Sequence, residues 1–358
     1  MAFNTEFDPE VFQSLIGGRA VIETPRLNLK TNEEACAYLK TYGYDCTTET
    51  DRERLWQIHT RAVIYIRTQL LNEGESIPEE VADPKKLGSL PNLLLMASSR
   101  DGQMDELRHW ACALLRVMHV VSQLQNDLFN YFSLEIQEEI FRPYRQFVQK
   151  DPVNGIKLNG GASGDSIPLQ KFDIKPFKDS DSSITKLLAK PDEVAFGLMD
   201  KIGVRFVTNS LYDVFRVMRF LVTNHVVSAA NVVPSQSNNT LFPVNLFLEV
   251  MATLPNEADL DVAALDEKLK DRLKKEADKA QFLEKHNAFT SRDYRFIKFI
   301  TRQLVRVTHP ETQKSFSFFY PYEVQILDRE HYLLSLTGPA SHDEYKSRQR
   351  GRARSRVL

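Results

Sequence analysis

Cysteine is scarce in this chain of 358 residues. Only Cys36, Cys46 and Cys112 occur, and no two of them form a C-x-x-C pair. A disulfide framework is therefore excluded, and so small and odd a set is expected of reduced thiols in a cytoplasmic protein. Long apolar runs are missing as well. No segment approaches the roughly 18 apolar residues of a membrane span, so no membrane partner is expected. The opening MAFNTEFDPE has neither the basic nor the apolar region of a signal peptide. Charge of one sign is not in excess. The 46 Lys and Arg against 48 Asp and Glu leave a net charge of −2, so the molecule as a whole is no electrostatic nucleic-acid binder. No internal repeat is visible.

Hydrophobic residues make up 42% and charged residues 26%, the composition of a soluble globular protein. The length suffices for two domains. The first part reads as mainly α-helical. Short strands are expected at Ala20–Ile22 and Leu27–Leu29. Leu55, Ile58, Ala62, Ile66 and Leu70 form one stripe of a helix over Arg52–Leu71. Leu107, Trp110, Leu114, Val117, Val121, Leu124 and Leu128 recur at helical spacing over Asp105–Phe132. A further helix covers Leu134–Gln149, with a bend expected at Pro143. His109 and His119 sit on the long helix at a spacing unlike that of a metal pair, and read as ordinary core or surface histidines.

Residues 151–170 then read as a linker. The run DPVNGIKLNGGASGDSIP is rich in Gly, Ser and Asp, and its Gly-Gly-Ala-Ser-Gly lacks the Lys-Ser/Thr of a phosphate loop. From Lys171 the pattern alternates between strands and helices. A helix over Ser183–Ala189 precedes a strand over Ile202–Thr208 and a helix over Tyr212–Thr223. A charged helix is expected over Leu260–Lys285, within an insertion around 224–290. Two strands close the pattern, Tyr294–Val307 and Ser315–Leu327, joined by a turn at His309-Pro310-Glu311-Thr312. The tail, residues 347–358, alternates Arg348, Arg350, Arg352, Arg354 and Arg356, which reads as a disordered basic arm able to touch RNA phosphates.

The stretch from Glu323 to Lys346, EVQILDREHYLLSLTGPASHDEYK, concentrates the chemistry. Tyr322, Val324 and Ile326 point to one side of a strand, and Glu323 and Gln325 to the other. Glu323 thus stands on a polar sheet face, where a carboxylate can act as a base or hold a metal. An earlier block, Asp200–Val207, reads DKIGVRFV and leads into a helix opened by Asp213-Val214. Upstream of it lie Ser183-Ile184 and Lys186.

In their order and spacing these blocks resemble the synthetase domain of the RelA/SpoT-type alarmone synthetases. That family closes on E-[IV]-Q-I-R-T, a helix and H-x-x-Y-K; here Glu323-Val324-Gln325-Ile326 and then His342, Tyr345 and Lys346 match it without a gap. The resemblance covers about 171–346 and leaves the insertion unmatched. It implies an α+β fold, a mixed β-sheet flanked by helices, behind a mainly α-helical domain over 1–150. It also implies an ATP-dependent pyrophosphokinase using Mg2+, with a nucleotide such as GDP or GTP, or an RNA, as acceptor. A homo-oligomer is compatible with it.

The resemblance assigns roles residue by residue. Asp200 and Glu323 would be catalytic and hold the metal. Arg205, Lys186, Lys298 and Gln325 would bind substrate, and Tyr294 would stack on the acceptor base. The sequence departs from the family where Lys175, Phe177, Lys178 and Asp179 replace an R-x-K. It departs again where Leu327-Asp328 replaces R-T, and where Lys298 stands for a histidine. These departures keep two other readings open: a synthetase-like module that binds nucleotide or RNA without chemistry, and an interaction protein docking through its helical half.

Overall fold

The computed structural model describes residues 9–18, 20–23, 26–125, 128–153, 155–160, 164, 166–177, 180–190, 195–254, 261–276, 280–284, 289, 294–338 and 341–358. The chain forms two compact units. One comprises Met1–Asp127, Asp179–Gly197 and Ser347–Leu358; the other comprises Leu128–Lys178 and Leu198–Lys346. The division thus differs from the expected boundaries near 150, 170 and 347. Compactness follows contacts through space, and the segment around Ser180–Ala189 joins the first unit across a long sequence gap.

The first unit is helical. Its long helix, Asp105–Gln125, buries Ala111, Leu114, Val117, Met118 and Val121, which recur at the helical period. The Glu49–Tyr65 helix buries Leu55, Ile58 and Ala62 and runs on through a wider π turn at Ile66–Leu70. Thr48 caps it by accepting from the Asp51 amide. The strands expected near residue 25 do not form. Val21–Glu23 is a 3₁₀ turn, and Leu27 and Leu29 donate their amides to Ala97 and Ser98 instead of to a strand. His119 is held by Tyr42 (3.1 Å), and His109 Nε2 donates to the Leu358 carbonyl at 2.7 Å.

The arginine tail is no disordered arm. It belongs to a helix, His342–Val357, which buries Gln349, Ala353 and Val357 at four-residue intervals. Arg354 forms a two-point ion pair with Glu75, at 2.7 and 2.8 Å, and Arg356 reaches Glu23 at 2.8 Å. The alternating charges mask a narrow apolar stripe.

The second unit is built on one mixed sheet of seven strands, in the order β1-β2-β3-β4-β7-β6-β5. The strands are β1 Val148–Asp151, β2 Gly155–Asn159, β3 Ser166–Lys175, β4 Gly203–Thr208, β5 Asn238–Asn239, β6 Ile297–Thr308 and β7 Ser315–Asp328. Among the described residues only β4 and β7 run parallel, and every other pairing is antiparallel. The α+β class and mixed sheet expected from the sequence are therefore present. The expected linker is not: β2 and β3 occupy half of 151–170. Ile156, Leu158, Ile167 and Leu169 alternate there, and Leu158 and Ile167 are fully buried. Gly161, Ala162 and Ser163 of the glycine run lie outside the described residues.

Helices cover one face of the sheet. The Ser133–Phe147 helix, which contains Pro143, and the Leu211–Thr223 helix pack Ile140, Tyr144, Val214 and Phe220 against Phe206, Val324 and Ile326. The charged helix is shorter than expected, Val262–Lys275, and still buries Leu265 and Leu269. The other face of the central strands carries polar side chains, because neighbouring residues of a strand point to opposite sides.

Candidate functional site

The register of the central strands sets the site. β4 and β7 pair Gly203 with Glu323 and Arg205 with Gln325. β3 adds Lys175 opposite Gly203 and Asp173 opposite Arg205. β6 adds Ile300 opposite Glu323 and Lys298 opposite Gln325. Paired residues share a face, so Lys175, Arg205, Glu323, Gln325 and Lys298 stand together on the side away from the helical core. The alternation read from Tyr322 to Ile326 is the one observed.

Glu323 is the centre of this group. Its side chain is only 10% exposed and each oxygen meets an ammonium: Lys175 Nζ lies 2.5 Å from Oε1 and Lys298 Nζ 3.4 Å from Oε2. A carboxylate so far from water must be paired to stay charged. Gln325 extends the network. Its Oε1 accepts from Arg205 Nε at 2.9 Å and from Lys175 Nζ at 3.1 Å. Its Nε2 donates to the Tyr294 hydroxyl at 2.8 Å. Two cationic donors on Oε1 thereby fix the orientation of the amide.

The backbone makes room for the carboxylate. A Cβ at Gly203 would lie 2.6 Å from the Glu323 carbonyl oxygen and 2.9 Å from its Cβ. Glycine is therefore a steric requirement of the β4–β7 pairing at this point. The Glu323 amide donates to the Ile202 carbonyl at 3.0 Å, which holds β7 to the entry of β4.

Tyr294 and His342 border the group. Tyr294 packs on Phe296, with ring centroids 4.9 Å apart, beside Val207 and Leu327. Burial raises its hydroxyl pKa, opposed by Arg205 and by the bond from Gln325. The phenol therefore stays protonated at neutral pH. His342 stacks on Tyr345. Burial lowers its pKa first, and the charges of Lys346, Arg205 and Lys175 lower it further, so it stays neutral too.

Of the residues named from the sequence, Glu323, Arg205, Gln325, Lys298 and Tyr294 come together. Asp200 is half-buried in the segment that enters β4, three positions before Gly203. Lys186 belongs to the Ser180–Ala189 helix of the first unit and not to the sheet. Lys175 stands out in the sequence only as a departure from a motif, yet it lies closer to Glu323 than Lys298 does. Lys178 and Asp179, and Ser291–Asp293 before Tyr294, lie outside the described residues.

No group of three His, Cys, Asp or Glu converges among the described residues. A protein-only metal cage is thus not what this face offers. Asp200, three positions before Gly203, and Glu323, paired with Gly203, are carboxylates at the same end of the β4–β7 pair.

No family model and no curated protein matches the chain. Solved structures do. The small alarmone synthetase 2 of Bacillus subtilis is 15% identical, with a TM-score of 0.29 over 64% of this chain and 90% of that one. A GTP pyrophosphokinase family protein of Streptococcus pneumoniae is 14% identical, with a TM-score of 0.28 over 64% and 88%. The small alarmone synthetase 1 of Bacillus subtilis bound to its product pppGpp is 12% identical, with a TM-score of 0.26 over 63% and 84%.

Proposed function

We propose that the second unit transfers pyrophosphate from ATP to a ribose hydroxyl of a nucleotide or RNA acceptor. The observation that carries this reading is the pairing of one buried carboxylate, Glu323, with Lys175 and Lys298, in a network that also includes Arg205. Phosphoryl-type transfer asks a protein for position and charge more than for covalent chemistry. Two ammonium groups on one carboxylate, with the Arg205 guanidinium held on neighbouring Gln325, suit both demands.

In this reading Lys175, Lys298 and Arg205 receive the triphosphate. As Lys175 turns to phosphate, Glu323 Oε1 is released to accept the proton of the attacking hydroxyl. The new bond joins the ribose oxygen to the β-phosphorus of ATP. The bond from that phosphorus to the α–β bridging oxygen breaks, and AMP leaves. Tyr294 offers its ring to the acceptor base, and Gln325 holds the phenol in place. Asp200 and Glu323 would hold Mg2+, which when bound neutralises developing charge on the phosphates.

The second reading is a module that binds nucleotide without transfer. It is favoured by the two ammonium groups that already occupy both Glu323 oxygens. Mass spectrometry of the acceptor decides between them. Incubation with ATP, magnesium and GDP, GTP or RNA yields an acceptor heavier by one pyrophosphoryl group under the first reading. Under the second, every acceptor keeps its mass while ATP still binds.

A further inference from the structure

The face that carries Glu323 continues outward along β6 and β7. By register, Arg302 stands opposite Pro321, Leu304 opposite Phe319 and Arg306 opposite Ser317, all on the same side as Glu323 and Lys298. Beyond the buried Ile300, the packing of the helices does not use this side. Val305, Val307, Tyr320 and Tyr322 face the helices instead. Phe319 is left 53% exposed and Leu304 42% exposed. The Arg302 guanidinium lies 5.9 Å from the Phe319 ring centroid.

The charges on this strip are of one sign. Lys298, Arg302 and Arg306 recur every four residues of β6, about 13 Å apart along the strand. Glu323 is the only acid among the residues of β6 and β7 on this face. Lys298 is tied to it. Arg302 and Arg306 form no ion pair among the described residues. On its outer edge β6 pairs with β5 at Ile297 and Lys298 and is bridged by Val232 at Thr301; beyond Thr301 no further strand pairs with that edge among the described residues.

We propose that this strip binds single-stranded nucleic acid. An exposed aromatic ring flanked by guanidinium groups takes any unpaired base on its π-face, while the arginines meet the phosphates. A duplex hides its base faces and would gain only the phosphate contacts. Phe319 lies four residues from Glu323 on one strand, so a strand seated on it would run toward the carboxylate. The proposal thus deepens the transfer reading by naming an RNA end as acceptor. It rests on that reading only for this direction; binding itself does not.

The test is fluorescence anisotropy of a short labelled oligouridine, and of the same RNA in a duplex, across a salt series. Wild-type protein should bind the single strand more tightly than the duplex. Phe319→Ala should weaken binding by about tenfold, the effect of losing one stacked base, and Phe319→Tyr should restore it. The Arg302→Gln, Arg306→Gln double variant should lower the slope of log affinity against log salt by about 1.4, at about 0.7 for each phosphate it no longer neutralises. Binding is read without ATP or magnesium, so its outcome is independent of any transfer. All three strip residues are exposed, so the folded state should survive these changes. The proposal is overturned if the wild type ignores the single strand, if it binds duplex equally, or if the strip variants bind unchanged. It is also overturned if those variants alter the sedimentation of the protein and not its RNA affinity, since the strip would then meet a second copy of the chain.

Discussion

Glu323 lies directly across the parallel β4–β7 pairing from Gly203, so close that a single methyl group at 203 would meet its carbonyl oxygen at 2.6 Å. The two residues are one device. The glycine lets the strands approach, and the approach seats the carboxylate between Lys175 and Lys298.

Gly203→Ala should therefore cost about 1–3 kcal/mol, the usual range for overpacking a filled site. The obstruction is backbone against backbone, so no side-chain rotation relieves it. Chemical denaturation measures the loss. Transfer activity measured where the variant is still folded should fall further than the loss of stability explains. A variant as stable and as active as the wild type would mean that the strands part freely at this point.

Protonation should destabilise the protein below neutral pH. His59, His119 and His342 all have pKa values lowered by burial, and His59 is fully buried, with Nε2 2.8 Å from the Val81 carbonyl. In the unfolded chain each binds a proton near pH 6.5, whereas the folded forms resist it. The unfolded state then holds more protons, so stability is complete above about pH 6.5 and is lost as pH falls through the lower folded values. Melting temperatures from about pH 8 to pH 5 should show this fall, and His59→Gln should flatten it. An unchanged fall in that variant would assign it to other groups.

The sheet was legible wherever its signal was local. The alternation through Tyr322, Glu323, Val324 and Gln325 predicts which side each residue takes. Lys175 was not legible as a partner of Glu323. It sits at the end of β3, and only the antiparallel pairing with β4 and the parallel pairing of β4 with β7 bring it across. β2 and β3 themselves carry a usable signal, Ile156, Leu158, Ile167 and Leu169, which the surrounding Gly and Ser outweigh. In the tail, Gln349, Ala353 and Val357 mark a helix face too narrow to stand out among the arginines.

Chelation should separate folding from chemistry. Two acids, Asp200 and Glu323, are the donors offered near β4, and Glu323 is already balanced by lysines. Under the proposed reading the metal would enter with the nucleotide, so EDTA should leave the melting temperature unchanged and stop transfer. A large drop in melting temperature on chelation would point to a structural metal instead.

Tyr294→Ala should raise the KM for the acceptor and leave the KM for ATP close to the wild-type value, by the loss of one stacked base. Tyr294→Phe keeps the ring and removes only the oxygen that accepts from Gln325, at a cost of about 1 kcal/mol in stability. Steady-state kinetics with each substrate varied in turn distinguishes the two effects. Equal changes in both KM values would remove Tyr294 from the acceptor side.

Glu323, held by Lys175 and Lys298, is proposed as the base of a transfer site. That role is tested most directly by AMP release from labelled ATP with magnesium, compared between the wild type and Glu323→Gln, with GDP, GTP and RNA as acceptors. Acceptor-dependent AMP is expected from the wild type, with a loss of about 100-fold or more in the variant, the scale of a missing general base. AMP formed equally by both proteins would contradict it.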